Sequence, residues 1–592
     1  MPAWFRAALA AAAVLGWGAC LSAQPSAESR IRVVVSGAQG VRDDIKYILE
    51  LAPGNLKKQA KTVDEILEGF QQGVDPRQPM AVDFVFSANE LLYQPIFPIE
   101  AFEGRNGFLA NLNAFGWKVQ GPVNGLYTIT EPPRQAPRGT KKTAAPKTSA
   151  TPAKPFFMRY VHGHAFLASR QTDLPANVAD PSVELKKLVG TADVVAEIKN
   201  DAATLPARLA AFKEFRKQIE AALKYKRGEA EADFALRKLS TEQTFNELER
   251  FLIETQRLEV SWTTDPASKT GRGALRLEAL PKTSLEHSVE QLVQRPSYFA
   301  HVKLHEDKPV LALKVNFAID ELRSQHARDL YAALRPVLKL RYDERPALTA
   351  AGKAAAKEAS DKLLDLFESA RTIQVLDGFI DLHVSGEQHT GVCGIRCVEG
   401  DKVVDLLGYL PKIREGWDVQ THVEEHGGVK IHKVHIAPHR HEEFHALFAG
   451  EPVVYIGTSA DAVWGAAGVG ALDELKAAID QASQPPPDTV DPEFFRLKIN
   501  FGPLVDVVSI FRAKEPKQPA EDKEAQEAAE QLEKQLAKLK KFAKDSFGAC
   551  EVPLEAALKR EGNAVVGTMT VQECVLRFVG SAAADWAAEN LQ

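Results

Sequence analysis

Two imidazoles four residues apart flank a pair of acids in the run His441-Glu442-Glu443-Phe444-His445. On a helix that spacing puts both rings on one face, one turn apart. There they can share a Zn²⁺ while Glu442 takes a proton from the metal-bound water, so the chemistry implied is metal-assisted hydrolysis. Histidine is concentrated around this run. His422, His426, His432, His435, His439, His441 and His445 are seven of the fifteen in the chain and fall within 24 residues. Neutral imidazole suits Zn, Cu or Ni near neutral pH. A hairpin turning at Gly427-Gly428 puts His422 and His435 on one face and His432 on the other, which makes His422 and His435 a second candidate pair. A His-rich, solvent-facing surface accounts for the same composition without metal.

Over these five positions the run resembles the zincin peptidase signature, and the resemblance stops there. Glu443 brings a charge where that family keeps uncharged residues, and Phe448 stands where the extended metzincin form needs Gly. No third ligand is marked, although Glu474, in a downstream helical pattern, is a gluzincin-like possibility. Asp381 and His383 share a strand face beside no nucleophile and read as structural. Gly465, Gly468 and Gly470 follow a strand and precede a helix, but in the reverse of the dinucleotide-binding spacing. The chain contains no Gly-x-Ser-x-Gly elbow and no phosphate-binding Gly-x-x-x-x-Gly-Lys.

The elements that would position these residues belong to two related halves. Gly116-Trp117-Lys118-Val119-Gln120 and Gly416-Trp417-Asp418-Val419-Gln420 are 300 residues apart. Each follows a short apolar helix and precedes a hairpin turn, at Asn124-Gly125 or Gly427-Gly428. Collinear matches follow, such as Pro155-Phe156 with Pro452-Val453, and Leu313-Lys314-Val315-Asn316-Phe317 recurs as Leu497-Lys498-Ile499-Asn500-Phe501. The expected fold class is α+β: two tandem pseudo-repeated halves at 24–296 and 297–592, each an antiparallel meander covered by helices. Ser240 and Gln243 form a capping box for one helix. Another, over 521–547, runs from acids to lysines, with Leu532, Leu536, Leu539 and Phe542 as its buried stripe. Residues 131–155 are rich in Pro, Ala, Thr and Lys and form a flexible basic insertion, able to touch an anionic surface or stay solvated.

At 592 residues, 45% apolar and 26% charged, the chain is globular and exceeds one core. A net charge of -6 argues against nucleic acid. Arg6, the apolar stretch 7–16 and Leu21-Ser22-Ala23 read as a signal peptide over 1–23, hence a periplasmic or extracellular protein. Lipidation at Cys20 is disfavoured by Trp17, and no later stretch is apolar enough to span a bilayer. In that compartment disulfides persist. Cys393 and Cys397 are roughly 13 Å apart along a strand, too far to bond, whereas Cys550 and Cys574 are symmetric about a turn at Gly562-Asn563 and are expected to pair.

The preferred reading is an exported, non-catalytic binding or scaffold protein for a peptide, polymer or lipid. The alternatives are a zinc hydrolase centred on His441, Glu442 and His445, and a carrier of lipid or another hydrophobic ligand. Mass determination of the exported protein should give an amino terminus at Gln24. An acylated Cys20 or an uncleaved leader would contradict that reading.

Overall fold

The computed structural model describes residues 30–590, apart from 55–56, 87–90, 131–154, 175–176, 227, 307–308, 386–387, 446, 449, 488, 505–522, 549 and 551–553. The signal segment, Cys20 and nearly all of the basic insertion 131–155 lie outside the described residues. The chain divides into two compact units. One comprises Met1–Arg216, Thr255–Pro266 and Ala583–Gln592, the other Lys217–Glu254 and Ala267–Ala582. Residues 217–254 and 267–296 thus lie in the second unit, on the far side of the sequence boundary at 296.

In the first unit, short runs rich in β-branched and aromatic residues form β1 (Arg30–Val35), β2 (Met80–Phe86), β3 (Leu91–Pro98), β4 (Lys118–Val123), β5 (Leu126–Thr130), β6 (Phe156–Val161), β7 (His164–Ala168), β8 (Val194–Lys199) and β9 (Thr255–Asp265). They pair antiparallel in the order β9-β8-β1-β2-β3-β7-β6-β5-β4. The second unit contains β10 (Thr270–Ala279), β11 (Pro309–Ala318), β12 (Val375–Ser385), β13 (Gln388–Arg396), β14 (Asp418–His426), β15 (Val429–His435), β16 (Val453–Thr458), β17 (Ala462–Gly468), β18 (Glu493–Ile499), β19 (Leu554–Glu561) and β20 (Ala564–Gln572). Their antiparallel order is β10-β20-β19-β18-β11-β12-β13-β17-β16-β15-β14. From β19 to β14 this is the first order with ten added to every strand number. The fold is mixed α+β, with antiparallel sheet covered by helices.

Several local expectations can be compared with these elements. Asn124-Gly125 and Gly427-Gly428 close the β4–β5 and β14–β15 hairpins with positive φ at both turn residues, the two-residue form that matches strand twist. Cys550 and Cys574 are disulfide-bonded, with Cα atoms 6.2 Å apart, and Cys574 sits in the first turn of the helix Glu573–Asn590. Cys393 and Cys397 are free thiols. Ser240 and Gln243 cap nothing, because one helix runs through them from Glu231 to Ile253. Its start carries Glu231 and Asp233, acids that favour a helix amino terminus. In the Lys-rich helix Lys523–Phe547, Leu536 and Leu539 are exposed, whereas Ala543 and Phe547 are buried beside the disulfide; the Leu532 side chain lies outside the described residues. No helix among the described residues is long and apolar enough to cross a membrane.

The core of the second unit joins Phe299, Phe379, Val392, Trp464, Leu475 and Ile479. Leu475 and Ile479, one turn apart on the helix Ala471–Ala482, present its apolar face to the sheet. A second tie is ionic. Arg250 Nη1 donates to Asp320 Oδ2 at 2.7 Å with both side chains buried, and Arg250 Nε donates to Ser284 Oγ. Burial pushes the Asp320 carboxyl up, but Arg250, with the Arg323 amide and Ser288, outweighs it and holds the group below the usual range. Breaking a buried pair from one side leaves an uncompensated charge, so Arg250→Met is expected to cost about 3–5 kcal/mol in urea unfolding. A loss within experimental error would show that the pair is not stabilising.

Candidate metal centre

Alternation along β12 turns Asp377, Phe379, Asp381 and His383 to one face and Leu376, Ile380 and Leu382 to the other. Phe379 belongs to the core, so the polar residues face inward. Asp377, Asp381 and His383 are 1%, 4% and 6% exposed, whereas Leu376 and Ile380 are 44% and 37% exposed. Three polar side chains on the inner face of a strand require partners, and the segment before β11 supplies them for Asp377 and Asp381. Ser297 Oγ donates to Asp377 Oδ1 at 2.6 Å, and the Tyr298 amide donates to Oδ2 at 2.6 Å. Lys314 Nζ, on β11, donates to the carbonyls of Ala300 and Val302 at 2.8 and 3.3 Å. Between these anchors Phe299 is fully buried, its ring 5.2 Å from that of Phe379 and 5.0 Å from that of Trp464. Burial pushes the Asp377 carboxyl up in spite of its donors, and pushes the Lys314 ammonium down.

A segment pinned in this way delivers His305 to Asp381. The His305 amide donates to Asp381 Oδ2 at 3.1 Å, and His305 Nδ1 lies 2.7 Å from the same oxygen. The other oxygen, Oδ1, is 3.7 Å from His383 Nδ1, too far for a hydrogen bond, and both of those buried atoms lack a hydrogen-bond partner. The His305 and His383 rings stack with centroids 3.8 Å apart. Burial pushes the Asp381 carboxyl up, but His383, His305 and the His305 amide together hold it below the ordinary aspartate range.

One ligand atom from each of His305, Asp381 and His383 lies within 4.8 Å of the others. Bonds of roughly 2.0–2.2 Å in a tetrahedral zinc site place neighbouring ligand atoms about 3.4 Å apart. His305 Nδ1 is 2.7 Å from Asp381 Oδ2 and His383 Nδ1 is 3.7 Å from the other oxygen, Oδ1, distances on either side of that spacing. Two imidazoles and a carboxylate are a donor set that zinc accepts, and three protein ligands leave a fourth position open, as catalytic sites do. Access comes from the His305 side, where the ring is 49% exposed. Among the described residues no other group of three His, Cys, Asp or Glu side chains converges in this way.

The structure places the other candidates differently. His441 and His445 do lie on a helix, but it is only five residues long. Their ring centroids are 6.2 Å apart, and His441 Nε2 is 2.9 Å from the Ile436 carbonyl. Glu442 and His445 are exposed, while Phe444 is buried against Phe448. No carboxylate joins the two rings in a metal-binding group of three among the described residues. Glu474 lies in the first turn of the helix Ala471–Ala482, where an acid complements the helix dipole. His422 and His435 are separated by a bulge that sets Gln420 opposite Lys433 and Glu424 opposite Ile431. His422 Nε2 is 3.3 Å from Glu425 and His435 Nδ1 is 3.5 Å from Glu451, so each ring has its own acid. His432 is buried, with Nε2 2.9 Å from Thr458 Oγ1, and burial pushes its pKa down, keeping it neutral.

No protein-family model, curated protein or solved structure matches this chain. The sequence signal for the centre was the alternation of Asp377, Asp381 and His383 through an otherwise apolar strand. His305 gave none, because it reaches the site from a loop 76 residues upstream.

Because the Asp381 carboxyl is held low when folded, its contribution is present above the ordinary aspartate pKa, about 3.9, and is lost as the pH falls through the folded value. Asp381→Asn is therefore expected to be about 1–3 kcal/mol less stable than wild type near neutral pH, with the gap closing in acid. Urea unfolding across that range checks this, and a gap independent of pH would contradict it.

Proposed function

We propose that this chain is an exported, metal-dependent hydrolase whose centre is His305, Asp381 and His383 rather than the His441–His445 run. The observation that carries the reading is the pair of buried, partnerless atoms, Asp381 Oδ1 and His383 Nδ1, facing each other at 3.7 Å with His305 Nδ1 beside the same carboxylate. A divalent ion there satisfies both orphan atoms. Zn²⁺ suits the nitrogen and oxygen donors, and when bound it supplies Lewis acidity and a water of lowered pKa. Asp381 offsets part of the ion's charge. His383 fixes the inner side of the site, and His305 forms the side reached by substrate. The core aromatics Phe299, Phe379 and Trp464 back the face and keep its dielectric low.

We further propose that 24–296 and 297–592 arose from one duplicated α+β unit. The common strand order and the two Gly-Trp-x-Val-Gln anchors support this. On that basis the metal centre was acquired in one copy. Carried along the ladder from the two Trp anchors, Asp381 corresponds to Asp83, likewise buried but paired with Arg30 and Arg32, and His383 corresponds to Val85, on a strand that contains no histidine.

Metal analysis of tag-free protein loaded with Zn²⁺ and then desalted tests the central reading. One zinc per chain is expected, lost in His305→Ala with His383→Ala and retained in His441→Ala with His445→Ala. Hydrolysis of activated ester and phosphoester substrates should follow the same pattern. Protein that takes up no zinc, or that loses it only when His441 and His445 are changed, would overturn the assignment.

A further inference from the structure

A cavity of about 550 Å³ lies beside Trp417, within the range of roughly 300–1,000 Å³ typical of small-molecule sites. Its walls include Ile413, Trp417, Phe444 and Val454, and its polar lining residues are Arg414 and Arg440, with no acid among them. This explains the buried position of Phe444. The five-residue helix that carries the two histidines serves as a shelf that puts Phe444 in the cavity wall, and the turn before it, Pro438–Arg440, adds Arg440.

The first unit carries an aromatic ring at the matching ladder position. There Val119, two residues after Trp117, pairs with Ile129, and Ile129 pairs with Phe156. In the second unit Val419, two residues after Trp417, pairs with Val434, and Val434 pairs with Val454. Phe156 and Val454 therefore occupy matching ladder positions. The Phe156 ring stands edge-on to Trp117 at 6.0 Å, and Phe102 adds a stacked contact with Tyr160 at 4.0 Å. Where the first unit sets Phe156 against Trp117, the second has Val454 in the cavity wall beside Trp417.

We propose that the Trp417 cavity binds a long-chain fatty acid in its ionised form. The apolar wall takes the hydrocarbon chain, and the fork of donors on Arg414 or Arg440 takes the carboxylate. Charge complementarity selects an anion, since the charged side chains among the described lining residues are both arginines. Phe448 also packs near Gly391, which by alternation faces away from the side of β13 that carries core residue Val392. Occupancy of the cavity is thus separable from the metal centre, and the proposal does not rest on hydrolase activity.

The test is calorimetric titration of the full-length protein with a series from decanoate to hexadecanoate, together with the alcohols of the same lengths. One site is expected, with affinity rising roughly fourfold per methylene until the cavity is full and with each alcohol weaker than its acid by about tenfold. Val454→Phe copies the residue that the first unit already accommodates, so it should fold with an unchanged circular dichroism spectrum while losing at least tenfold in affinity. Should that variant misfold, Arg414→Gln with Arg440→Gln is the second arm: it should weaken the acids and leave the alcohols unchanged. His305→Ala with His383→Ala should bind fatty acid as wild type does. Wild-type protein that binds no fatty acid at the solubility limit, a folded Val454→Phe that binds as tightly as wild type, or arginine variants that bind acids as wild type does would overturn the proposal.

Discussion

The buried carboxylate of Asp377 is the constraint on which the candidate site depends. It accepts one hydrogen bond from Ser297 and one from the Tyr298 amide, and these fix the start of a segment that has no regular secondary structure of its own. Lys314 holds the next turn through two carbonyls. Once both ends are held, Phe299 fills the core and His305 reaches Asp381. The cost of burying a charge next to an ammonium and a row of aromatics is offset only because each polar group finds a partner. Asp381 and His383 are each left with one unpartnered atom, as is the Trp464 indole nitrogen. The two that face each other, a carboxylate oxygen and an imidazole nitrogen, mark the place where a ligand would complete the network.

The contrast with the His441–His445 run is one of support. Metal ligands need rigid backing and outer partners that orient them. The five-residue helix is anchored inward by Phe444, which lines the apolar cavity, and leaves His445 in solvent. At the centre on β12, by contrast, two ligands come from one strand whose neighbours β11 and β13 are paired along its length. Spacing alone sets imidazoles near each other. Only the sheet fixes their direction.

The strand-rich meander, the hairpin turns with Gly125 and Gly428 and the cysteine pair were legible because each is a local pattern with a local physical cause. The repeated Gly-Trp-x-Val-Gln was legible too, and the common strand order supports its reading as a duplication. The centre was half legible. Asp381 and His383 share a face by simple alternation, yet that parity does not say whether the face is inward, and the apolar residues Leu376 and Ile380 on the opposite face gave a misleading cue. His305 was beyond reach, since its approach depends on tertiary bonds made by Ser297, Tyr298 and Lys314. The pairing of His422 with His435 looked sound for a regular hairpin. The bulge between Gln420 and Glu424, with His422 at positive φ, moves the register and has no strong sequence mark.

Anomalous diffraction at the zinc edge, from crystals of zinc-loaded protein, tests the central claim most directly. The expected result is a strong peak within about 2.0–2.2 Å of one atom each from His305, Asp381 and His383, with a remaining position open toward solvent. A peak between His441 and His445, or none at β12 under saturating zinc, would contradict it.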